Sequence, residues 1–160
     1  MSKTAYLEDK LLRLIFCNED WRGPDGYPAV SGSAQSGSLW LSLHVNEPPD
    51  PTFTTTTTTF EAVYTGYARG KIPRRSSSWT ITTGSGPTTM TNAIPITCGS
   101  TRTNFAATVR VSYFAITTGN TNTSSTYVLY KGLLIPPIDI VSGSVAPVID
   151  IGSLIIKEDL

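Results

Sequence analysis

The chain contains one histidine, His44, which is the only imidazole available for acid–base or nucleophilic chemistry. A Ser-His-Asp triad would place it beside a nucleophilic serine and a carboxylate, but no nucleophile-elbow sequence occurs. His44 lies in the run LWLSLHV at positions 39–45, on the parity opposite the leucines. We therefore expect a solvent-facing histidine on a strand, and no catalytic residue.

Carboxylates that could form an acid–base pair are scattered along the chain, at Glu47, Asp50, Glu61, Asp139 and Asp150. A glycosidase needs two carboxyl groups that flank one glycosidic bond. No spacing among these five indicates such a pair, although the sequence leaves one open. Asp139 and Asp150 lie within apolar runs, where a buried carboxylate would need a partner, so we expect both to face solvent or a neighbouring subunit.

The cysteines, Cys17 and Cys98, are far apart and belong to no CxxC motif or Cys/His cluster, so we expect no zinc site and no other metal or cofactor. We predict two reduced, partly buried thiols. The alternative, a disulfide, would require the end of an N-terminal helix to pack on the strand that contains Cys98.

The charge of the chain argues against nucleic-acid and membrane partners. Formal net charge is +0 and 15% of residues are charged, whereas those partners call for a basic excess. Charged residues interrupt any apolar core near the N-terminus, so we expect no signal peptide and assembly in a cytosol. No apolar run approaches the roughly 20 residues of a membrane helix.

Four residues are candidates for contacts with other subunits. The densest basic stretch, GKIPRR at positions 70–75, lacks a stacking module for nucleic acid and is either a solvated loop or a contact onto an acidic neighbour through Arg74 and Arg75. Trp21 and Tyr27 lie in a turn-rich loop and either pack back onto the domain or anchor a partner.

The N-terminal residues predict one helix over residues 5–17, with Ser2 or Thr4 as its N-cap. Its buried face is predicted from the apolar spacing to be centred on Leu7, Leu11, Leu14 and Ile15 and to be widened by Leu12 and Phe16. The opposite, polar face is predicted to carry most of the charged residues: Glu8, Asp9, Lys10 and Arg13. Residues 18–38 are predicted to be loop, and residues 39–160 to form a β-sandwich domain, with the whole chain as one structural domain.

Short apolar runs that are separated by the turn-forming residues Gly, Pro and Ser predict the strands. They cover residues 39–45, 60–69, 79–82, 91–98 and 148–157, and a central hairpin within residues 108–134. The threonine run at residues 54–59 is predicted to be an exposed loop or an edge strand. Pro136 and Pro137 are predicted to turn the chain. The fold class is therefore mainly β, a single-domain β-sandwich or jelly roll with one N-terminal α-helix.

An ordered set of short motifs resembles a family of small virion proteins of tailed bacteriophages, often labelled tail fibre proteins. The motifs are YLEDKLL at 6–12, LWLSLHVNEP at 39–48, GYAR at 66–69, TNA at 91–93, YFAI at 113–116, LYKGL at 129–133 and IGSL at 151–154. They span nearly the whole chain. The threonine run and the long polar tip of the hairpin depart from the family pattern.

The resemblance implies a non-enzymatic structural role in a virion. Such β-sandwich proteins are similar to capsid decoration, or cement, proteins, which often form homotrimers on the major capsid protein at the outer surface of the shell. The label implies instead a tail component that touches the host. Elongated fibres usually carry repeats or heptads, which this sequence lacks, so we favour the cement protein. A virion carbohydrate-binding module, with Trp21, Trp40 and Tyr27 as a stacking platform, is the third alternative.

Overall fold

The computed structural model describes residues 4–22, 28–30, 37–48, 60–83, 87–99, 108–120 and 126–158. In these ranges one helix is followed by eleven strands. They are α1 (Ala5–Leu12), continued by a π-helical turn (Arg13–Cys17), then β1 (Trp21–Arg22), β2 (Pro28–Val30), β3 (Ser38–His44), β4 (Gly70–Pro73), a 3-10 turn (Ser76–Ser78), β5 (Trp79–Thr82), β6 (Thr88–Asn92), β7 (Ile96–Thr97), β8 (Val109–Thr117), β9 (Val128–Ile140), β10 (Val148–Ile149) and β11 (Ile155–Glu158).

The chain forms two compact units, each made of segments that are distant in sequence. Unit 1 comprises Met1–Gly37, Pro73–Pro95 and Ile149–Leu160, and unit 2 comprises Ser38–Ile72 and Ile96–Val148. The predicted class, mainly β with one N-terminal helix and several antiparallel sheets, is confirmed. The jelly-roll connectivity and the single-domain description stay predictions.

Unit 2 is built on a four-stranded sheet with the strand order β4-β3-β8-β9. The predicted central hairpin is confirmed as the antiparallel pair of β8 and β9, and β8 also pairs with β3. One face of the sheet buries large aliphatic side chains: Leu39, Leu41, Leu43 and Ile116 are all 3% exposed or less. Alternation of apolar residues therefore identified the main core face of β3 correctly.

The last strand of this sheet, β9, is long but irregular. Its register against β8 shifts near Leu129 and again between Leu133 and Ile138, a stretch that contains Pro136 and Pro137. The prediction that these prolines turn the chain is wrong, because β9 runs through them to Ile140. An edge strand tolerates proline at a bulge, and both prolines lie in the stretch between Leu133 and Ile138 where the register shifts.

Unit 1 contains a three-stranded antiparallel sheet with the order β11-β6-β5. Asn92 at the end of β6 is buried, and its side chain binds the carbonyl oxygens of Ile94 and Asp150 and the amide of Leu154, all within 2.9 Å. These bonds hold the turn between β10 and β11, where Gly152 has φ of +77°. The predicted strand at residues 148–157, in which the glycine indicated a bend or bulge, is two strands with a turn between them.

The N-terminal helix covers the predicted residues, and Thr4 is the N-cap, its Oγ1 accepting from the Leu7 amide at 3.3 Å. The predicted buried face is correct only in part. Leu12 and Phe16 are fully buried, but Leu7, Leu11, Leu14 and Ile15 are only partly buried, and Glu8, predicted for the polar face, is fully buried. The three buried residues, Glu8, Leu12 and Phe16, are spaced at i, i+4 and i+8 and therefore lie on one face of the helix. Glu8 on this face contacts β6, because the Thr88 amide donates to Glu8 Oε2 at 3.3 Å.

Two further predictions are corrected. Residues 60–69 do not form the predicted strand, since only Glu61 makes a β-bridge, and its partner is His44. The chain then turns, because the Tyr67 amide donates to the Tyr64 carbonyl oxygen and Gly66 has φ of +88°. The predicted loop at residues 18–38 contains the short β1–β2 pair. Tyr27, Asp50 and the threonine run at 54–59 lie outside the described residues.

The reassigned helix face predicts different costs for two neighbouring leucines. Leu12→Ala should lower the free energy of unfolding by about 2–5 kcal/mol, because it removes a fully buried side chain. Leu11→Ala should cost clearly less, because Leu11 is only partly buried. Urea denaturation of both variants measures the difference, and equal losses would contradict burial of the Leu12 row.

Candidate functional site

His44 is fully buried, so the expectation of a solvent-facing histidine is wrong. Ser42, on the same face of β3, is also fully buried. Both side chains lie on the face opposite the leucines, so β3 is buried on both sides. Strands that are covered on both faces lose the simple alternation of buried and exposed residues from which the prediction was made.

Ser42 and His44 form a buried pair, with 2.9 Å between Ser42 Oγ and His44 Nε2. Ser42 Oγ also donates to the Ala115 carbonyl oxygen at 3.3 Å. The hydroxyl has one proton, and the tautomer of His44 determines whether Ser42 Oγ accepts from Nε2–H or donates to Nε2.

A charged network next to this pair is centred on Glu61 and Arg69, whose side chains are 9% and 3% exposed. Arg69 Nε and Nη2 donate to the two carboxylate oxygens of Glu61 at 2.8 and 2.7 Å, in a bidentate geometry. Arg69 Nη1 donates to Thr117 Oγ1 at 3.3 Å and to the Gly119 carbonyl oxygen at 2.9 Å. The pair thus joins the segment after residue 60 to the start of the β8–β9 loop.

Tyr67 extends the network to the backbone of β3. Its hydroxyl donates to Glu61 Oε1 at 2.7 Å and accepts from the Leu43 amide at 3.1 Å. Burial alone raises the pKa of the Glu61 carboxyl, but hydrogen bonds from Arg69 and Tyr67 and the charge of Arg69 outweigh burial, so the pKa lies below its ordinary value. Burial and the Glu61 charge raise the pKa of Tyr67.

Of the other four carboxylates singled out from the sequence, the three that the structure describes do not join this network. Asp139 and Asp150 are exposed, as expected, and Asp139 faces Arg110 at 3.7 Å. Glu47 pairs with Lys131 at 3.1 Å near the surface. Within the described ranges no three His, Cys, Asp or Glu side chains are placed to hold a metal ion.

Both cysteines are free and buried. Burial raises the pKa of the Cys17 thiol to about 11 and that of the Cys98 thiol to about 12. Both are therefore protonated at neutral pH, and neither is a nucleophile.

The predicted contact residues have different surroundings within unit 1. Arg74 donates from Nε to the Ile15 carbonyl oxygen and from Nη2 to that of Leu14, at 2.6 and 2.7 Å, so it caps the C-terminal end of the helix. Arg75 is exposed, with Nε 3.4 Å from Ser78 Oγ. These positions leave Arg75 the more accessible of the two arginines.

Of the predicted aromatic residues, Trp21 is partly exposed and packs edge-on against Tyr6, with ring centroids 6.3 Å apart. Trp40, in unit 2, is also partly exposed and lies under Lys71, whose Nζ is 5.9 Å from the ring centroid. Tyr27 is outside the described residues. The predicted platform for stacking of sugar rings therefore stays a prediction, and the structure describes only two of its three residues, Trp21 and Trp40.

Exposed apolar side chains at both edges of the four-stranded sheet were not singled out from the sequence. We call Leu129, Leu133 and Ile135 the β9 edge; they are 37%, 58% and 87% exposed. We call Phe60 and Val63 the Phe60 edge; they are 47% and 87% exposed. Phe60 is on the β4 side of β3, because its carbonyl oxygen accepts from the Val45 amide while β8 occupies the other side.

A surface pocket of about 280 Å³ lies beside the β9 edge. It is lined by Glu47, Tyr113, Lys131, Gly132 and Leu133. Lys131 Nζ is bound by the Glu47 carboxylate and by the Pro48 carbonyl oxygen at 2.9 Å, so the charged part of the wall is neutralised internally. The ring of Tyr113 and the side chain of Leu133 supply an apolar wall.

Comparison of the sequence with protein-family models and with curated proteins finds no match. In the described part of the chain, no helix is both long and apolar enough to span a membrane.

The buried pair predicts a large effect of one isosteric change. Glu61→Gln should lower the free energy of unfolding by about 3–5 kcal/mol, because it leaves the buried Arg69 charge uncompensated. The matched control is Asp139→Asn, which breaks an exposed pair and should cost about 0–1 kcal/mol. Chemical denaturation at neutral pH measures both, and similar small losses would contradict the role of the network.

The lowered pKa of Glu61 predicts acid sensitivity. The carboxylate is ionised in both states above the ordinary pKa of 4.5, so its stabilising contribution is complete there. It is lost as pH falls below that value and through the lower pKa of the folded state. Unfolding free energies of wild type and Glu61→Gln from about pH 7 to about pH 3 measure this dependence, which should be weaker in the variant.

Proposed function

We propose that this chain is a non-enzymatic structural protein of a virion, a capsid decoration or cement protein that binds and stabilises the outer shell as a homo-oligomer. Its partners are other copies of itself, three in the proposed homotrimer, and the major capsid protein. It assembles in the cytoplasm of the bacterial host. The resemblance of the sequence motifs supports a role in a virion, and the surface of unit 2 supports association with other protein copies.

The observation that carries the proposal is the exposure of large apolar side chains at the two edges of one sheet. Val63 and Ile135 are each 87% exposed. Scattered exposed aliphatic residues are ordinary on monomers, whereas grouped ones beside a pocket are typical of interaction surfaces. The formal net charge of +0 adds no repulsion between copies.

The chemical groups favour a structural role over catalysis. His44 and Ser42 are fully buried, and the Glu61 carboxylate is paired with Arg69. Their bonds tie strands and loops together. These residues therefore stabilise unit 2, which suits a protein that must hold its shape on a particle.

A decoration protein benefits from presenting several copies of the same weak contact. Once one copy of a trimer binds the shell, the other two are held at high effective concentration near their sites. A contact that is weak for one copy is then sufficient for the assembly.

The test is binding of the purified chain to undecorated capsids and, separately, to isolated tails. We expect cosedimentation with capsids and a higher temperature of capsid disruption when the protein is present. Binding to tails alone would reject the decoration role and support the tail component. Binding to neither, together with turnover in a panel of hydrolase substrates, would reject a structural role.

A further inference from the structure

We infer that the copies associate head to tail, with Phe60 of one copy inserted into the Glu47–Tyr113–Leu133 pocket of the next. The inference rests on the proposed homo-oligomer and identifies the two surfaces that form its interface. Both surfaces belong to unit 2, and neither uses the four contact residues predicted from the sequence.

Phe60, which we call the knob, and the pocket lie at the same level of the sheet. Glu61, His44, Tyr113 and Leu133 form one row across it, because Glu61 bridges His44, His44 pairs with Tyr113, and Tyr113 pairs with Leu133. With strands about 4.8 Å apart, the two ends of the row are about 14 Å apart. Each copy therefore offers a knob at one end of the row and a pocket at the other.

Phe60 has the features of a functional knob. Its φ of +65° is unusual for a bulky side chain, which avoids the left-handed region. The surrounding bonds impose this conformation, since the carbonyl oxygen of Phe60 binds the Val45 amide and the Ala62 amide binds the Leu43 carbonyl. The residue nevertheless stays 47% exposed, so packing within the described part of unit 2 accounts for only part of its surface. Strained backbone that presents an exposed aromatic side chain is typical of binding sites.

The pocket suits an uncharged aromatic side chain. Its volume of about 280 Å³ exceeds the roughly 150 Å³ of a cavity that holds benzene. Lys131 is already paired with Glu47, so docking of a phenyl ring leaves no buried charge unpaired. Tyr113 offers an aromatic partner for the incoming ring.

The position of the two surfaces makes the contact heterologous. Different patches at opposite edges make a heterologous contact when copies pack edge to edge, and such contacts close into rings or run on as filaments. A buried aromatic side chain removes about 150–250 Å² from water, and a stable interface buries about 800 Å² per partner. Phe60, with the exposed Val63 and Ile135 beside the two surfaces, supplies the apolar centre of such an interface. The polar rim supplies the remainder.

The experiment compares four purified chains by gel filtration with light scattering. Wild type should be a closed oligomer, the proposed trimer. Phe60→Gly should weaken self-association by about 30-fold or more, as expected for an interface hot spot. Leu133→Arg, which fills the pocket from an exposed position, should do the same. The control Val145→Ser, at a site 76% exposed and outside both edges, should behave like wild type.

Mixing the two interface variants tests the direction of the contact. Phe60→Gly retains an intact pocket and Leu133→Arg retains an intact knob, so the mixture should form a one-to-one heterodimer although each variant alone is monomeric. Phe60→Gly should also unfold at a higher temperature than Phe60→Ala, because glycine adopts a φ of +65° without strain. This comparison separates loss of the knob from loss of the fold.

The outcomes distinguish this interface from the proposed function. A wild-type monomer, or an oligomer that survives Phe60→Gly, overturns the knob-and-pocket interface whether or not the chain binds capsids. Failure of the mixture to form heterodimers overturns it as well. An oligomer that dissociates as expected but does not bind capsids supports the interface and rejects only the decoration role.

Discussion

The buried ion pair of Glu61 and Arg69 is the constraint on which unit 2 depends. Two charges removed from water are stable only when their hydrogen bonds are satisfied, and here the carboxylate receives two bonds from Arg69 and one from Tyr67. Because Arg69 also binds Thr117 and the Gly119 carbonyl, the pair fixes the start of the β8–β9 loop. The same residues that cover the sheet therefore hold the segment that carries Phe60 in place.

Burial of the second face of β3 by residues 61–69 explains why the sequence pattern wrongly predicted a solvent-exposed His44. A half-buried strand alternates buried and exposed residues, and the leucines of β3 satisfy that pattern. The second face is buried by side chains that arrive from positions 61–69, and Arg69 reaches Thr117 on that face. Glu61 and Arg69 are eight positions apart, and no pattern in the sequence indicates that two residues at this spacing form an ion pair. The exposed Asp139 and Asp150 were predicted correctly, because no segment covers them.

Local signals predicted the elements better than their faces. The N-cap at Thr4, the strand β5 and the β8–β9 hairpin follow from capping, punctuation and alternation, which depend on neighbouring residues alone. The buried face of α1 was predicted only in part, because hydrophobicity placed Glu8 on the polar face, whereas the fold buries it in the row of Leu12. Among the described residues, Glu8 Oε1 has no hydrogen-bond partner. Which face of a helix is buried depends on its tertiary neighbours, here β6.

The irregular edge of the sheet determines what kind of contact it can make. A long apolar edge strand would normally add a strand from another chain, which leads to aggregation. In β9 the register shifts near Leu129, and prolines 136 and 137 lack N–H donors, so a continuous ladder on its outer side is interrupted at both ends. The regular portion between these breaks is short, pairing only from Tyr130 to Leu133. An edge that resists strand addition but exposes Leu133 and Ile135 favours association through side chains in a pocket over association through the backbone.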